Sequence, residues 1–393
     1  MSMSGVPASE RLHIGFFGNR NSGKSSLINA LTGQSVSIVS DVPGTTTDPV
    51  KKTMELLPLG PVVIIDTPGV DDVGDLGTER VLRTKNVLET CDIAVVVINS
   101  EKGITEFDKN IIKQINKREI PYIVCYNKCD LKTPDLKENE ICVSAKTGMN
   151  IDLLKEKLAS FADKKKEKYI IRHMLSKGDV VVLVIPIDSS APKGRIILPQ
   201  QQTLREILDL GGVCICVQPE ELPQVIEKYD REIKLIITDS QVFGTVSKIV
   251  PSYIYLTSFS ILMMNYKGEL EQSAEAVKVI KQLKDGDKVL IAEGCTHHRQ
   301  CNDIGTVKLP NLIRKTTGAN VEFDFTSGGD FPDDLSQYSL IIHCGGCMLT
   351  EQEVKKRMFR ANEKGVPITN YGMALAYMNG ILERSLKFLR KRR

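Results

Sequence analysis

A glycine-rich loop near the start of the sequence has the residue types of a phosphate-binding site. Residues 18–25 read GNRNSGKS, a complete G-x-x-x-x-G-K-S pattern between a predicted strand and a predicted helix. The glycines let backbone amides approach phosphates, and the helix N-terminus adds partial positive charge. We expect Lys24 to reach the terminal phosphates and the Ser25 hydroxyl to ligate Mg²⁺. The other residues predicted to contact the nucleotide here are Gly18, Asn21, Ser22, Gly23 and Ser26.

Two short motifs further along the sequence identify the base of the nucleotide. Residues 127–130 read NKCD after an apolar strand, and Asp130 is placed to accept hydrogen bonds from the guanine ring N–H and amino group. Residues 144–146 read SAK, and their backbone is predicted to meet the guanine carbonyl oxygen. Each match is weak alone, but their order after a phosphate loop predicts GTP rather than ATP. The predicted guanine contacts are Asn127, Lys128, Asp130, Ser144, Ala145 and Lys146.

Two further stretches carry the candidate switch residues. Residues 66–69 read DTPG, in which we expect Asp66 to hold Mg²⁺ through water and the Gly69 amide to sense the γ-phosphate. Residues 41–48 read DVPGTTTD and are predicted to form the first switch, with Thr46 as a Mg²⁺ ligand. The predicted catalytic residues are Lys24, Thr46 and Gly69.

The predicted hydrolysis step departs from that of Ras-like proteins. Val70 stands where those proteins have a water-orienting glutamine, so we expect intrinsic hydrolysis to be slow or to use another device. The phosphate loop and the Gly-Thr-Thr switch resemble those of tRNA-modifying TrmE-type GTPases, in which a potassium ion replaces an arginine finger. The resemblance implies K⁺ as a cofactor, held by Asn21. Thr47 departs from the arginine usual in that family's switch.

Cysteine and histidine residues follow two predicted strands near the other end of the sequence. They are Cys295, His297 and His298 after KVLIAEG, and His343, Cys344 and Cys347 after YSLII. If the two strands are neighbours in a parallel sheet, both groups emerge at its carboxyl edge, where α/β folds build their sites. The helix predicted to begin near Thr350 points its positive end at the same place, which favours thiolates.

Residue types alone leave three interpretations of this group open. The two sets can be unrelated strand-end cysteines, or they can hold zinc through Cys₂His₂ or Cys₃His ligation. The third interpretation is a 4Fe-4S cluster on Cys295, Cys344 and Cys347, whose fourth iron keeps an exchangeable ligand. The candidates for that ligand, or for residues supporting it, are His297, His298, His343, Asn302 and Asp303.

The elements that must position these residues alternate between strand and helix throughout the sequence. This pattern predicts an α/β fold: a P-loop GTPase domain with a parallel sheet over residues 1–165, a small α/β domain over 175–265, and a C-terminal α/β metal-cluster domain over 270–393. Of the ten cysteines, five lie in or beside apolar strands and are predicted to be core residues without a chemical role. These are Cys91, Cys125, Cys142, Cys214 and Cys216.

Composition narrows the classes of function. A net charge of +3 gives no general electrostatic case for a nucleic-acid partner. No apolar run approaches the roughly 20 residues needed to span a bilayer, and the first residues, MSMSGVPASERL, do not resemble a signal peptide. We therefore expect no membrane partner and a cytoplasmic location, where cysteines are core residues or metal ligands rather than disulfides.

The domain order and the Cys-x-His … His-Cys-x-x-Cys signature resemble the FeFe-hydrogenase maturation GTPase family, HydF. The signature maps to Cys295, His297, His343, Cys344 and Cys347. The resemblance implies that these three cysteines bind a 4Fe-4S cluster and that the middle domain makes a homodimer. It also implies that the protein carries the two-iron subcluster of the hydrogenase active site and delivers it to the apo-hydrogenase. Two radical-SAM maturases would supply the precursor.

Two functions from other classes compete with this interpretation. One is an RNA-modifying or ribosome-associated GTPase with a structural zinc domain, although the sequence has no recognisable RNA-binding motif. The other treats the C-terminal domain as an independent redox enzyme, but no flavin or nicotinamide fingerprint supports it.

Overall fold

The computed structural model describes residues 7–33, 50–67, 84, 86–164, 168–187, 196–294, 303–328 and 330–391. The chain divides into two compact units, Met1–Glu167 and Lys168–Arg393. The predicted α/β fold class is confirmed, because sheets of mainly parallel strands with intervening helices form both units. No helix among the described residues is both long and apolar enough to cross a membrane.

Within the described residues, the first unit is a six-stranded sheet covered by helices on both faces. Its strands are β1 (Leu12–Phe17), β2 (Val50–Leu56), β3 (Gly60–Asp66), β4 (Ile93–Asn99), β5 (Tyr122–Asn127) and β6 (Glu140–Cys142). Its helices are α1 (Lys24–Thr32), α2 (Glu106–Lys117) and α3 (Ile151–Lys164). The strand order is β2-β3-β1-β4-β5-β6, and only the β2–β3 pair is antiparallel.

The hydrophobic pattern explains this arrangement. All seven residues of β4, IAVVVIN, are buried, as expected for a central parallel strand with helices on both faces. Side chains of α1 and α3 pack on one face of the sheet, and side chains of α2 pack on the other. A capping box between Thr105 and Asp108 starts α2, satisfying amides that have no partner within the helix.

The second unit contains two four-stranded parallel sheets among its described residues. Its strands are β7 (Val180–Val184), β8 (Val213–Val217), β9 (Ile233–Thr238), β10 (Tyr255–Ser258), β11 (Lys288–Ala292), β12 (Glu322–Thr326), β13 (Leu340–His343) and β14 (Ile368–Asn370). The sheet orders are β10-β9-β7-β8 and β12-β11-β13-β14. All of their pairs are parallel.

One continuous cluster of buried side chains, extending from Ile170 to Leu389, joins the two sheets of this unit. Its helices are α4 (Leu198–Asp209), α5 (Leu222–Tyr229), α6 (Phe243–Ile249), α7 (Phe259–Lys267), α8 (Leu270–Ala276), α9 (Leu309–Thr317), α10 (Glu351–Glu363), α11 (Tyr371–Met378) and α12 (Leu382–Arg390). The predicted domain boundary between residues 265 and 270 lies at the junction of α7 and α8. Because one buried cluster extends across this junction, the division of the second unit into two domains stays a prediction.

The expectation that five strand cysteines are core residues is only partly confirmed. Cys91, Cys125 and Cys142 are buried, but Cys214 is half-buried and Cys216 is exposed. The physical reason is that β8 is an edge strand of its sheet, which the alternation of residues in VCICV does not indicate.

Candidate functional site

The phosphate loop connects β1 to α1 with a backbone that requires glycine at two positions. Gly18 and Gly23 have positive φ angles of 145° and 84°. A Cβ atom at Gly18 would collide with the Val97 carbonyl oxygen, and one at Gly23 would collide with the Asn127 side chain. The loop is therefore packed tightly against β4 and β5. Asn21 also has a positive φ, 64°, which asparagine tolerates better than most residues.

Lys24 is buried at the centre of this loop. Its Nζ donates to the Gly18 carbonyl at 2.6 Å and to the Asn19 carbonyl at 3.1 Å. These bonds hold the ammonium inside the curve of the loop, at the start of α1. A cation, a helix N-terminus and backbone amides therefore converge, which is the arrangement that binds the phosphates of a nucleotide.

Ser25 and Asp66 lie together next to Lys24, as the Mg²⁺ prediction requires. The Ser25 hydroxyl donates to Asp66 Oδ2 at 2.9 Å, because β3 pairs with β1 and ends beside the loop. Burial raises the pKa of Asp66, and the Ser25 hydrogen bond and the Lys24 charge oppose that rise. The other carboxylate oxygen, Oδ1, is buried and has no hydrogen-bond partner within the described part of the chain. A hydroxyl, a carboxylate and an unsatisfied oxygen fit a hydrated Mg²⁺ ion.

Asn127 links the phosphate loop to the predicted guanine contacts. Its Nδ2 donates to the Ser22 carbonyl at 3.1 Å, and its Oδ1 accepts from the Ala145 amide at 3.0 Å. The Ser144 hydroxyl donates to Asp130 Oδ1 at 2.7 Å and so orients this exposed carboxylate. The structure thus brings the NKCD and SAK motifs together. Thr46, Gly69 and Val70 lie outside the described residues, so the switch predictions stay predictions.

The second site is the cysteine turn, defined here as residues 344–349, which follows β13. β13 pairs directly with β11, and Ala292 is opposite His343. The Cys344 Sγ accepts hydrogen bonds from the Gly294 amide at 3.0 Å and the Gly346 amide at 3.4 Å. β11 and β13 are therefore neighbouring strands, and their carboxyl ends lie side by side, as the sequence analysis required. Cys295, His297, His298 and Asn302 lie outside the described residues.

The surroundings of Cys344 act on the pKa of its thiol in two opposite directions. Burial raises the pKa of Cys344 to about 11, while the two amides that donate to its sulfur oppose that rise. At neutral pH the isolated thiol therefore keeps its proton, and a bound metal ion would replace it. Cys347, the second cysteine of the turn, is half-buried. Among the described residues alone, no group of three Cys, His, Asp or Glu side chains could hold a metal ion.

His343 lies behind the turn with both ring nitrogens engaged. Its Nδ1 is 2.7 Å from the Cys344 carbonyl oxygen, and its Nε2 is 2.8 Å from Arg357 Nη1. Burial and the Arg357 charge lower the pKa of His343 to about 3, so the ring is neutral. Nδ1 then donates to the carbonyl, and Nε2 accepts from the guanidinium. The sequence left two roles open to His343, ligation of iron and support of the turn. Because both of its ring nitrogens are already hydrogen-bonded, the geometry favours the supporting role.

Asp303 is held as a helix cap. Its Oδ2 accepts from the Thr306 amide at 2.9 Å and from the Thr306 hydroxyl at 3.1 Å, at the start of the turn Ile304–Lys308. Nearby, the Tyr371 hydroxyl donates to the buried Glu293 carboxylate at 3.2 Å. Burial, followed by the charge of Glu293, raises the pKa of Tyr371.

Sequence reasoning missed the residues that support the cysteine turn from a distance. Arg357 lies on α10, and Gly294 lies 50 residues before the sulfur that it contacts. No spacing within a local motif marks either residue. The capping box Thr350–Glu353 at the start of α10 is a local signal, and it could have indicated how the turn ends.

Sequence profiles of known protein families match most of the chain. A sequence profile of the hydrogen maturase F dimerization domain matches residues 170–268, and a profile of the hydrogen maturase F tetramerization domain matches residues 271–388. Together they cover more than half of the 393 residues. The chain belongs to the hydrogen maturase F family. A third profile, that of a 50S ribosome-binding GTPase, matches residues 13–128, so the first unit is a P-loop GTPase domain.

Two curated GTPases each resemble less than half of the chain. GTPase Der of Wolinella succinogenes is 37% identical over 169 residues, which are 38% of this chain and 36% of that protein. The tRNA modification GTPase MnmE of Nitrosomonas europaea is 34% identical over 168 residues, 41% of this chain and 37% of that protein. The chain thus spans just over a third of the length of these relatives.

A solved structure, that of the G domain of the T. maritima FeoB iron transporter, is 24% identical to this chain. The match covers 39% of this chain and 99% of that chain, with a TM-score of 0.31. A likeness of this strength carries no argument about function.

The geometry around Asp130 generates a prediction about base specificity. Replacing Asp130 with Asn keeps the size of the side chain but removes the anionic acceptor for the guanine N–H groups. We expect GTP to bind roughly 30- to 150-fold more weakly, because a hydrogen bond to a charged group contributes about 2–3 kcal/mol. Xanthosine triphosphate should bind more tightly than it does to the wild type, since an amide can donate to the xanthine oxygen.

Fluorescence titration with labelled nucleotides measures both affinities. Asp135→Asn, which alters an exposed carboxylate of the same loop, is the matched control and should bind GTP as the wild type does. Unchanged GTP affinity in the Asp130→Asn variant would show that Asp130 does not read the base.

Proposed function

We propose that this protein binds and hydrolyses GTP and assembles, carries and delivers the two-iron subcluster of the FeFe-hydrogenase active site. Membership of the hydrogen maturase F family and the nucleotide-site geometry support this proposal. The observation that carries it furthest is the pair of backbone amides, from Gly294 and Gly346, that donate to Cys344 Sγ at a sheet edge. Hydrogen bonds from amides stabilise a thiolate, which is the form of cysteine that binds iron.

The cysteines Cys295, Cys344 and Cys347 would hold a 4Fe-4S cluster, leaving one iron with an exchangeable ligand. When bound, such a cluster supplies an open coordination position that can take up and release an iron-containing cargo. The protein's own residues set the conditions for this chemistry. Gly294 and Gly346 orient the Cys344 sulfur, and neutral His343 fixes the Cys344 carbonyl. His297, His298, Asn302 and Asp303 stay the candidates for the exchangeable position.

In the nucleotide site, Lys24 would neutralise the terminal phosphates while Ser25, Asp66 and Thr46 hold Mg²⁺. Asp130 and the backbone of residues 144–146 would select guanine. Because a valine follows Gly69, we infer slow hydrolysis that uses K⁺, held by Asn21, instead of a glutamine or an arginine finger. The partners in this proposal are the apo-hydrogenase and two radical-SAM maturases, and the proposed location is the cytoplasm.

An alternative is a ribosome-associated or RNA-modifying GTPase whose cysteine turn holds structural zinc. The description of the GTPase profile and the tRNA modification relatives favour it for the first unit. It does not account for the match of residues 170–388 to the two hydrogen maturase F profiles.

Metal analysis of cysteine variants tests the cluster. After anaerobic reconstitution with ferrous iron and sulfide, we expect roughly four iron atoms per chain and a brown protein, as a 4Fe-4S cluster requires. Cys344→Ser and Cys347→Ser should retain less than about a quarter of that iron, because two thiolates do not hold such a cluster firmly. Cys216→Ser, which changes an exposed thiol on β8, is the control and should load fully. A colourless wild-type protein that binds zinc tightly would favour the alternative function.

Comparison of two salts tests the potassium proposal. GTP hydrolysis should be at least about tenfold faster in K⁺ than in Na⁺ at equal ionic strength, because the cation stabilises charge developing on the phosphates. Asn21→Gly should abolish the difference. Glycine is the suitable replacement, since it accepts the positive φ of residue 21 while removing the side-chain oxygen. Equal wild-type rates in the two salts would rule out a potassium-dependent mechanism.

We also propose that the protein is a homo-oligomer and that β8 is one of its contacts. β8 lies at the edge of its sheet, its sequence VCICV carries no charge, and Val213 is 48% exposed. The opposite edge strand, β10, is packed against α12, with the Tyr255 and Phe388 ring centroids 5.3 Å apart. An uncharged edge strand readily pairs with another copy of itself, and β8 lies within the segment matched by the dimerization profile.

Charge placed on β8 tests this contact. Val213→Lys should weaken self-association by at least about tenfold, because a lysine on an edge strand opposes strand pairing. Light scattering coupled to gel filtration, over a range of protein concentrations, measures the change in mass. Leu57→Lys, which alters an aliphatic side chain that is 75% exposed in the other unit, should keep the wild-type mass. An unchanged mass for Val213→Lys would place the contact elsewhere.

A further inference from the structure

Lys267, the last residue of α7, is a buried lysine that reaches the cysteine turn. Only 2% of its surface is exposed. Its Nζ donates to the Leu349 carbonyl at 2.8 Å, across 82 residues of sequence, and to the Cys347 carbonyl at 3.3 Å, across 80. A lysine is rarely buried this completely, because removing an ammonium from water is costly. Its position therefore calls for a physical reason.

The other end of α7 also contacts the neighbourhood of the turn. The Gly372 amide donates to the Ser260 hydroxyl at 3.2 Å, and Asn370 Nδ2 donates to the Ser260 carbonyl at 2.7 Å. A Cβ atom at Gly345 would lie only 3.7 Å from the Ser260 hydroxyl oxygen. Helix α7 therefore lies close to Gly345 at its first residues and bonds to the Cys347 carbonyl at its last. Most of the side chains between these ends are buried.

The two segments joined by these contacts belong to different family profiles. Helix α7 lies in the segment matched by the dimerization profile, and the cysteine turn lies in the segment matched by the tetramerization profile. The Lys267 bonds thus cross from one segment to the other within a single compact unit. A shift of α7 would move the carbonyl of a cluster cysteine directly.

Electrostatics gives a second consequence. On the side of the turn next to His343, the buried Arg357 guanidinium bonds to the histidine ring. Lys267 thus bonds to the segment that carries Cys344 and Cys347, and Arg357 bonds to His343 directly before it. Because the Lys267 ammonium bonds to the carbonyl of Cys347 itself, its positive charge would stabilise negative charge on that cysteine or on a group that the cysteine holds.

We propose that Lys267 is a positioning residue for the cluster. It fixes the backbone at Cys347 and Leu349, and its charge stabilises the thiolates and the more negative, reduced state of the cluster. It also makes the cluster site sensitive to the position of α7. This inference rests on the proposed function, since it assumes that the cysteine turn holds an anionic iron–sulfur group.

A redox titration of the reconstituted protein tests the electrostatic part. Lys267→Met keeps the length of the side chain but removes the charge, so the midpoint potential should become more negative. We expect about a tenfold change in the reduced-to-oxidised ratio at fixed solution potential, equivalent to roughly 59 mV for one electron. Lys267→Arg, which keeps the charge, should lie close to the wild type. Lys248→Met, which removes an exposed lysine on α6, is the control.

Hydrogen exchange of the iron-free protein tests the positional part and requires no cluster. The Leu349 amide donates to the Gly346 carbonyl at 3.1 Å within the turn. In Lys267→Met, peptides covering residues 344–350 should exchange severalfold faster, while peptides of the GTPase unit should not change.

The two measurements separate the possible failures. A wild-type protein that takes up no iron would refute the proposed function, yet the exchange result would still test Lys267 as a support of the turn. Exchange equal to wild type in Lys267→Met would refute the positioning role. A loaded Lys267→Met protein with an unchanged potential, or an Arg variant shifted as far as the Met variant, would refute the role of the charge.

Discussion

The parallel pairing of β11 with β13 is the constraint on which the cysteine turn depends. Because Ala292 is opposite His343, the chain leaves both strands at the same level of the sheet edge. The Gly294 amide can then donate to the Cys344 sulfur, so the end of β11 and the turn after β13 lie side by side. A sheet in which another strand separated β11 from β13 would hold the same residues too far apart. The register of two short strands thus determines whether the cysteines can form one site.

The nucleotide site of the GTPase unit also depends on parallel strands whose carboxyl ends lie side by side. Strands β1, β3 and β5 deliver the phosphate loop, Asp66 and Asn127 to the carboxyl ends of a parallel sheet. Asn127 then connects the loops by bonding to Ser22 on one side and Ala145 on the other. The contacts to phosphate and to base are consequently not independent. Movement of either loop strains the hydrogen bonds of this one buried amide.

Buried charge distinguishes the cysteine turn from an ordinary connection between a strand and a helix. A turn that only joined β13 to α10 could be closed by the Thr350–Glu353 capping box and by backbone bonds. Here, Lys267 and Arg357 are also taken out of water to bond to the turn or to His343 beside it. Such burial is costly unless negative charge is close by. Glu353 acts on Arg357 in this way, and the charge of the buried Glu293 contributes to the raised pKa of the Cys344 thiol.

The sequence by itself determined the chemistry that lies within short contiguous motifs. The GNRNSGKS loop, the NKCD and SAK motifs and the pairs of strand-end cysteines could be interpreted locally, because their backbone conformation is set by nearby glycines and helix starts. The α/β class followed from the alternation of apolar strands and polar helices. The prediction that Cys216 lies in the core was wrong, because strand order depends on contacts distant in sequence, and β8 is an edge strand.

Only the tertiary structure decided which distant groups complete the sites. The Asn127 amide meets Ser22 across 105 residues, and Lys267 meets Leu349 across 82. Nothing in the local pattern around either residue indicates its partner, since a buried lysine at the end of a helix looks in sequence like an ordinary C-terminal charge. The motifs specify which atoms can do the chemistry, whereas sheet register and helix packing determine which other groups surround them.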